Sequence, residues 1–155
     1  MTLTTNYTRF VHSDQWFARI IQWRTKSKWF HVEHVLSDGS VVRAFFPGGV
    51  QHLPVGQVTA SSAELRCQFP LTTAQIAAGE AFLLAQVGTK YDWFALIGLA
   101  FGRNWASKTR WICAKLEDGY YKAIGIELLG TVADVYATPA NLAEYPPWTV
   151  RETMP

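Results

Sequence analysis

The chain has 155 residues, 49% of them hydrophobic and 17% charged, with 22 aromatic side chains (7 Trp, 6 Tyr, 9 Phe). The length suits one domain over 1–155 with a self-sufficient core, and the composition excludes a disordered tail. The 14 basic and 12 acidic residues are interspersed and leave a net charge of +2, so nucleic acid is not an expected partner.

Phe10 to Trp23 has helical periodicity, with Ser13 as N-cap and Trp16, Phe17, Ile20, Ile21 and Trp23 as its apolar stripe. The basic run Arg24 to Lys28 closes that helix. Lys28 to Leu36 is aromatic and β-branched, Ser37-Asp38-Gly39-Ser40 supplies a turn, and Val41 to Phe46 returns as a second strand. Pro47-Gly48-Gly49 breaks the hairpin before a short extended piece, Val50 to Val55. Ala63 to Phe69 is a further strand, stopped by Pro70. Thr72 or Thr73 caps a helix with Ile76, Ala77, Phe82, Leu83, Leu84 and Val87 as apolar positions; Gly79 weakens it and Gly88 ends it. Tyr91 to Phe101 predicts a second helix interrupted around Gly98 and Gly102, and Trp111 to Ile124 a third ended by Gly125. The tail, with Pro139, Pro146, Pro147 and Pro155, reads as loop with short extended pieces. Helix, strands, then helices predict an α+β domain with a small antiparallel sheet packed against helices.

Met1 to Asn6 lacks the basic-then-apolar pattern of a secretory signal. The longest apolar stretch, Trp93 to Phe101, has nine residues, where a membrane span needs about 20. The expectation is a cytoplasmic protein with no membrane span. Two cysteines exclude a disulfide-rich scaffold and a four-thiolate zinc site.

Two residues are candidate nucleophiles. Cys67 sits in an alternating strand pattern and reads as a small buried hydrophobe. Cys113 falls at the start of a helix after a polar loop, where backbone N–H groups favour a thiolate and can receive an oxyanion. On local sequence alone, burial as an inert thiol remains the commoner fate for Cys113 too. A cysteine nucleophile needs a base, and the chain has four histidines: His12, His31, His34 and His52. In Trp29-Phe30-His31-Val32-Glu33-His34, residues two apart share a strand face, so Glu33 is poised to orient His31 while His34 points the other way. The competing reading leaves His31 and Glu33 on a solvated face. A zinc site of His31, His34 and Cys113 is a weaker alternative, because the strand splits its imidazoles and no His-Glu-x-x-His spacing occurs. No cofactor or metal is expected, and no P-loop, dinucleotide-binding glycine pattern or Gly-x-Ser-x-Gly elbow is present.

The order of motifs carries more than any one of them. His31-Val32-Glu33 lies on a strand, and Gly48-Gly49-Val50 follows the hairpin. Gly88-Thr89-Lys90-Tyr91-Asp92 precedes an apolar helix, Cys113 opens another, and Thr138-Pro139-Ala140-Asn141-Leu142 comes last. Over roughly residues 10–145 this resembles the circularly permuted branch of the NlpC/P60 papain-like superfamily, the group with YiiX-type proteins and lecithin–retinol acyltransferase relatives. Members often read Ser-His-Val-Glu-Leu, Gly-Gly-Val, Tyr-Asp and Cys-Ser-Glu at these places. The resemblance implies a permuted papain-like fold, Cys113 as nucleophile, His31 as base, Glu33 as orienting residue and Tyr91 beside the site as an oxyanion donor. Two positions depart from the pattern: Ala114-Lys115 stands for Ser-Glu, and Phe30 for the serine before the histidine. Lys115 puts a cation where a carboxylate is usual and is expected to alter substrate contacts.

Two functions from different classes follow. The first is a thiol hydrolase, cysteine peptidase or acyltransferase acting on an amide or ester, with a peptide-type or acyl-lipid substrate. The second is a non-catalytic binding or structural module on the same scaffold, bacterial or phage-associated, which the Ala114-Lys115 departure favours.

Overall fold

A computed structural model of the chain describes residues 5–101, 103, 105, 107–129, 137–144 and 148–154. Strands β1 (Tyr7–His12), β2 (His31–Val35), β3 (Val41–Phe45), β4 (Gly49–Leu53), β5 (Ala63–Gln68) and β6 (Val150–Met154) form one antiparallel sheet in the order β4-β3-β2-β1-β5-β6. The helices are α1 (Trp16–Thr25), α2 (Thr73–Gln86), α3 (Trp93–Ala100), α4 (Cys113–Ala123) and α5 (Pro139–Glu144). The α+β architecture and the antiparallel sheet agree with the sequence expectation. Gly102, Pro146, Pro147 and Pro155 lie outside the described residues.

The N-terminal helix is shorter than expected. Phe10 and Val11 belong to β1, a central strand paired with β2 on one side and β5 on the other, where both are fully buried. Aromatic and β-branched residues suit that position, and the buried Arg9 conceals the alternation that would have announced a strand. Ser13 does not cap α1: the cap residue is Gln15, without a side-chain cap bond, and Ser13 Oγ accepts from the Gln15 N–H at 3.3 Å. The expected core stripe of α1 faces outward, with Trp16 76% and Trp23 79% exposed. Only Ala18 and Ile21 of the described side chains on this helix pack inward, against Val11 and Phe30.

Helix α2 begins as expected. Thr72 Oγ1 accepts from the Gln75 N–H while the Gln75 side chain accepts from the Thr72 N–H, a reciprocal capping box. Gly79 does not interrupt the helix; it admits a neighbour. A Cβ at Gly79 would lie 2.3 Å from the Tyr120 ring, and one at Gly119 would lie 2.8 Å from Phe82. Two glycines on facing helices therefore set the close approach of α2 and α4. The core lies between these helices and one sheet face, where Phe10, Val32, Val42 and Leu65 pack with Leu83, Leu116 and Tyr120. Cys67 is fully buried there, and burial pushes its thiol up to about 12. It is the inert cysteine the sequence suggests.

The tail carries more structure than expected. Pro139 opens α5, a position that tolerates its missing N–H. Trp148 donates from Nε1 to the Leu142 carbonyl at 3.0 Å, and β6 then adds an edge strand to β5.

Candidate active site

Cys113 is the first residue of α4 and is half-buried. A relay of backbone contacts fixes the segment around it. Gly49 has φ +74°, and a Cβ there would lie 2.2 Å from the Thr89 carbonyl oxygen. Glycine thus lets residues 88–90 lie against β4, where the Val50 N–H donates to Thr89 and the Gly88 N–H donates to Val50, each at 2.9 Å. Tyr91 then pairs with Trp111 in a parallel bridge, two residues before Cys113. Asp92 is fully buried and locks the arrangement: its Oδ1 accepts from the Ala95 N–H at 3.1 Å, at the start of α3, and its Oδ2 from the Ser107 N–H at 2.6 Å. Lys115 turns to the same loop, donating to the Ser107 carbonyl and, at 3.4 Å, to that of Arg110. Its ammonium is thus held by backbone carbonyls of the loop that leads into α4.

His31 begins β2, and 3% of it is exposed. Glu33 shares its strand face, as the period of two requires, and is likewise buried. The solvated-face reading of this pair is therefore overturned. Strands β2 and β3 pair only at His34–Val42 and Val35–Val41, so beyond Val42 the His31 end of β2 is left without a partner on its β3 side, while β1 pairs it on the other. There the N-terminus of α4 approaches, and Cys113 and His31 share one cavity wall, each close enough to shift the titration of the other. On its other side His31 Nε2 stands 3.6 Å from Glu33 Oε2, an ion-pair distance, with no hydrogen-bond partner among the described residues. Phe45 packs edge-on against the imidazole at 5.2 Å between ring centroids.

Glu33 is itself held by two residues. Arg9, its cross-strand neighbour in β1, donates from Nη1 to Oε1. The Thr59 hydroxyl donates to Oε2 at 2.6 Å, and the Thr59 N–H to Oε1 at 3.2 Å. Arg9 also pairs with Glu64 and donates to the Thr59 carbonyl at 3.0 Å, so the cation is balanced on both sides. Arg9, Thr59 and Asp92 were not marked as site residues by the sequence. The partners of Arg9 and Thr59 are distant in the chain, and only the cross-strand register of Arg9 with Glu33 could have revealed one of them. Asp92, directly before Trp93 and bonded to the Ala95 N–H, had a local signal as an N-cap of α3.

These contacts shift the titrations in opposite directions. Burial opposes ionisation of Cys113, but the hydrogen bond and charge of His31, with N–H donors from Val32 and Ala114, hold its thiol below the ordinary value. Burial alone would lower His31; the hydrogen bond and charge of Cys113, then Glu33, overcome it and raise the imidazole to about 9. Glu33 is opposed by burial too, yet His31, Thr59 and Arg9 lower its carboxyl to about 2. At neutral pH these shifts favour the imidazolium at His31 and the carboxylate at Glu33, and they move Cys113 toward the thiolate. Burial, with the charges of Cys113 and Asp92, pushes the Tyr91 phenol up, so it stays protonated and able to donate.

The other histidines lie elsewhere. His34 faces the opposite side of β2, where Nδ1 meets Glu117 Oε1 at 2.8 Å and the ring lies 4.0 Å from that of Tyr120. His52 Nε2 pairs with Ser40 at 2.9 Å, and His12 with the Lys28 carbonyl at 2.8 Å. A zinc site of His31, His34 and Cys113 is thus not assembled. Among the described residues no three His, Cys, Asp or Glu side chains converge, so the donor set does not fit a metal ion.

A cavity of about 600 Å³ adjoins the pair, with Cys113, His31 and Tyr91 in its wall. Trp16, Ile20 and Arg24 of α1, Phe46, and Trp93 and Leu96 of α3 also line it. Of the nearby tryptophans, Trp93 lines the cavity while Trp105 and Trp111 are not among its lining residues. Among the described residues no helix is long and apolar enough to cross a membrane.

No protein-family model and no curated protein matches the sequence. Among solved structures, one similar to this chain is described as metalloprotein yiiX from Escherichia coli O157:H7, DUF1105. It is 17% identical with a TM-score of 0.73, over 100% of this chain and 98% of that chain. An identity this low speaks for the fold alone: the chain has a YiiX-like α+β fold.

Proposed function

We propose that this chain is a thiol hydrolase or acyltransferase of the permuted NlpC/P60 papain-like kind, acting on an amide or ester. The observation that carries the reading is a helix-start cysteine set in one cavity wall with a buried histidine, itself backed by a clamped carboxylate. The chain order supports permutation, since the histidine strand precedes the cysteine helix.

In this reading the Cys113 thiolate attacks the substrate carbonyl carbon, forming the Sγ–C bond and moving an electron pair onto oxygen. The Cys113 backbone N–H and the Tyr91 hydroxyl stabilise the oxyanion. His31 gives its proton to the leaving amine or alcohol as the C–N or C–O bond breaks, which leaves a thioester on Cys113. Water, or an acceptor alcohol or amine, then loses a proton to His31 as it attacks, and Cys113 departs as thiolate. Glu33 touches no reacting atom; it is a positioning residue that favours the imidazolium.

The test is intact-mass analysis of the chain after brief exposure to p-nitrophenyl acyl esters. The reading predicts a burst of nitrophenolate and a thioester adduct on Cys113, both absent from Cys113→Ala. Ester cleavage undiminished in Cys113→Ala, or no adduct with any acyl length, would leave the binding-module reading in its place.

A further inference from the structure

Charges that are interspersed over the whole chain become one-signed in two stretches. Residues 15–31 hold Arg19, Arg24, Lys26 and Lys28, and residues 93–112 hold Arg103, Lys108 and Arg110, with no Asp or Glu in either. The same stretches carry most of the exposed aromatic surface. Trp16, Ile20 and Trp23, at i, i+4 and i+7, share one exposed face of α1, and Trp93, Phe94, Phe101 and Trp105 are exposed on and after α3. The two elements converge on one cavity, which Trp16, Ile20 and Trp93 all line, and Phe46, just after β3 and also in its wall, stacks on Trp93 at 4.6 Å.

An apolar patch of this kind marks an interaction surface. Its chemistry selects among occupants. Tryptophan, an apolar ring with one polar edge, is the side chain of the lipid–water boundary. The excess of cations in these stretches attracts anionic headgroups, and the same charges would repel a second copy of this face across a twofold axis.

We propose that the α1–α3 face docks on an anionic lipid surface. The aromatic side chains enter the headgroup region, the Arg and Lys side chains meet the phosphates, and the cavity is brought against the lipid. This docking is independent of chemistry at Cys113.

The experiment is co-sedimentation of the full chain with phosphatidylcholine vesicles, with and without phosphatidylglycerol. Binding to the anionic vesicles is expected, about tenfold or more weaker without phosphatidylglycerol and falling with salt. Arg19→Glu with Lys26→Glu should lower partitioning by about tenfold, and Trp23→Ser by several-fold, with far-UV circular dichroism unchanged because all three residues are exposed. Sedimentation reads no turnover, so Cys113→Ala serves equally well, and failure of docking is distinguishable from failure of the thiol mechanism. Equal binding to both vesicle types, no binding to either, or a concentration-dependent dimer that Trp23→Ser dissociates would overturn the proposal.

Discussion

His31 and His34 stand on one strand and face opposite sides of it, His31 toward the Cys113 thiol and Glu33, His34 toward Glu117 and Tyr120. The odd spacing forces this separation and assigns them different work. His34→Gln should leave the pH dependence of Cys113 alkylation unchanged while lowering stability by about 1–3 kcal/mol, because Glu117 loses a buried partner. Urea unfolding alongside alkylation separates the two effects. A shifted Cys113 inflection in His34→Gln would contradict the assignment.

The clamp on Glu33 predicts an asymmetry. Arg9→Met removes the cation that faces both Glu33 and Glu64, so buried carboxylates are left uncompensated. Breaking one side of a buried pair costs about 3–5 kcal/mol, and this variant should unfold at far lower urea. Glu33→Gln keeps the shape but removes the charge beside His31. Its nuclear magnetic resonance titration should place the His31 imidazole below the parent value of about 9.

Stability should depend on pH through Glu33, His31 and Cys113. The Glu33 carboxyl is lowered from 4.5 to about 2, so its contribution is complete above 4.5 and lost as pH falls through 2. The His31 imidazole is raised from 6.5 to about 9, so its contribution is complete below 6.5 and lost as pH rises through 9. Cys113 is shifted the opposite way, so its gain as pH rises offsets the His31 loss. Urea midpoints should climb from acid pH as Glu33 ionises and run nearly level between about 6.5 and 9. A midpoint that keeps rising from pH 7 to 9 would speak against the imidazolium.

Two glycines give contrasting tests of position. Gly49→Ala drives a methyl into the Thr89 carbonyl and strains a positive φ, which displaces the segment leading to Tyr91 and, through Trp111, to Cys113. It should slow Cys113 alkylation and cost about 1–3 kcal/mol. Gly79→Ala pushes on the Tyr120 ring between α2 and α4, away from the pair. It should cost a similar amount yet leave the alkylation inflection in place.

Local patterns made the β2–β3 hairpin, β5, α2 and the Cys113 helix readable, because each has a clean period and a turn or cap at its ends. β1 was hidden because the buried Arg9 broke its alternation and an apolar stripe downstream resembled a core-facing helix. That stripe has the periodicity of burial without being buried, a distinction that exposure alone reveals. At the site, the shared face of His31 and Glu33 followed from the strand period. The clamp of Arg9 and Thr59, and the approach of α4 to the β3-side edge of β2 at His31, depend on contacts between distant segments and left no local mark.

The central claim is that Cys113 and His31 form a thiolate–imidazolium pair. Its most direct test is the rate of iodoacetamide alkylation of Cys113 against pH, with Cys67→Ser as background and His31→Ala as the comparison. The account predicts rapid alkylation of the folded chain with an inflection below the ordinary thiol value of about 8.5, moving upward in His31→Ala. A Cys113 that reacts only on unfolding, or that titrates identically with and without His31, would contradict it.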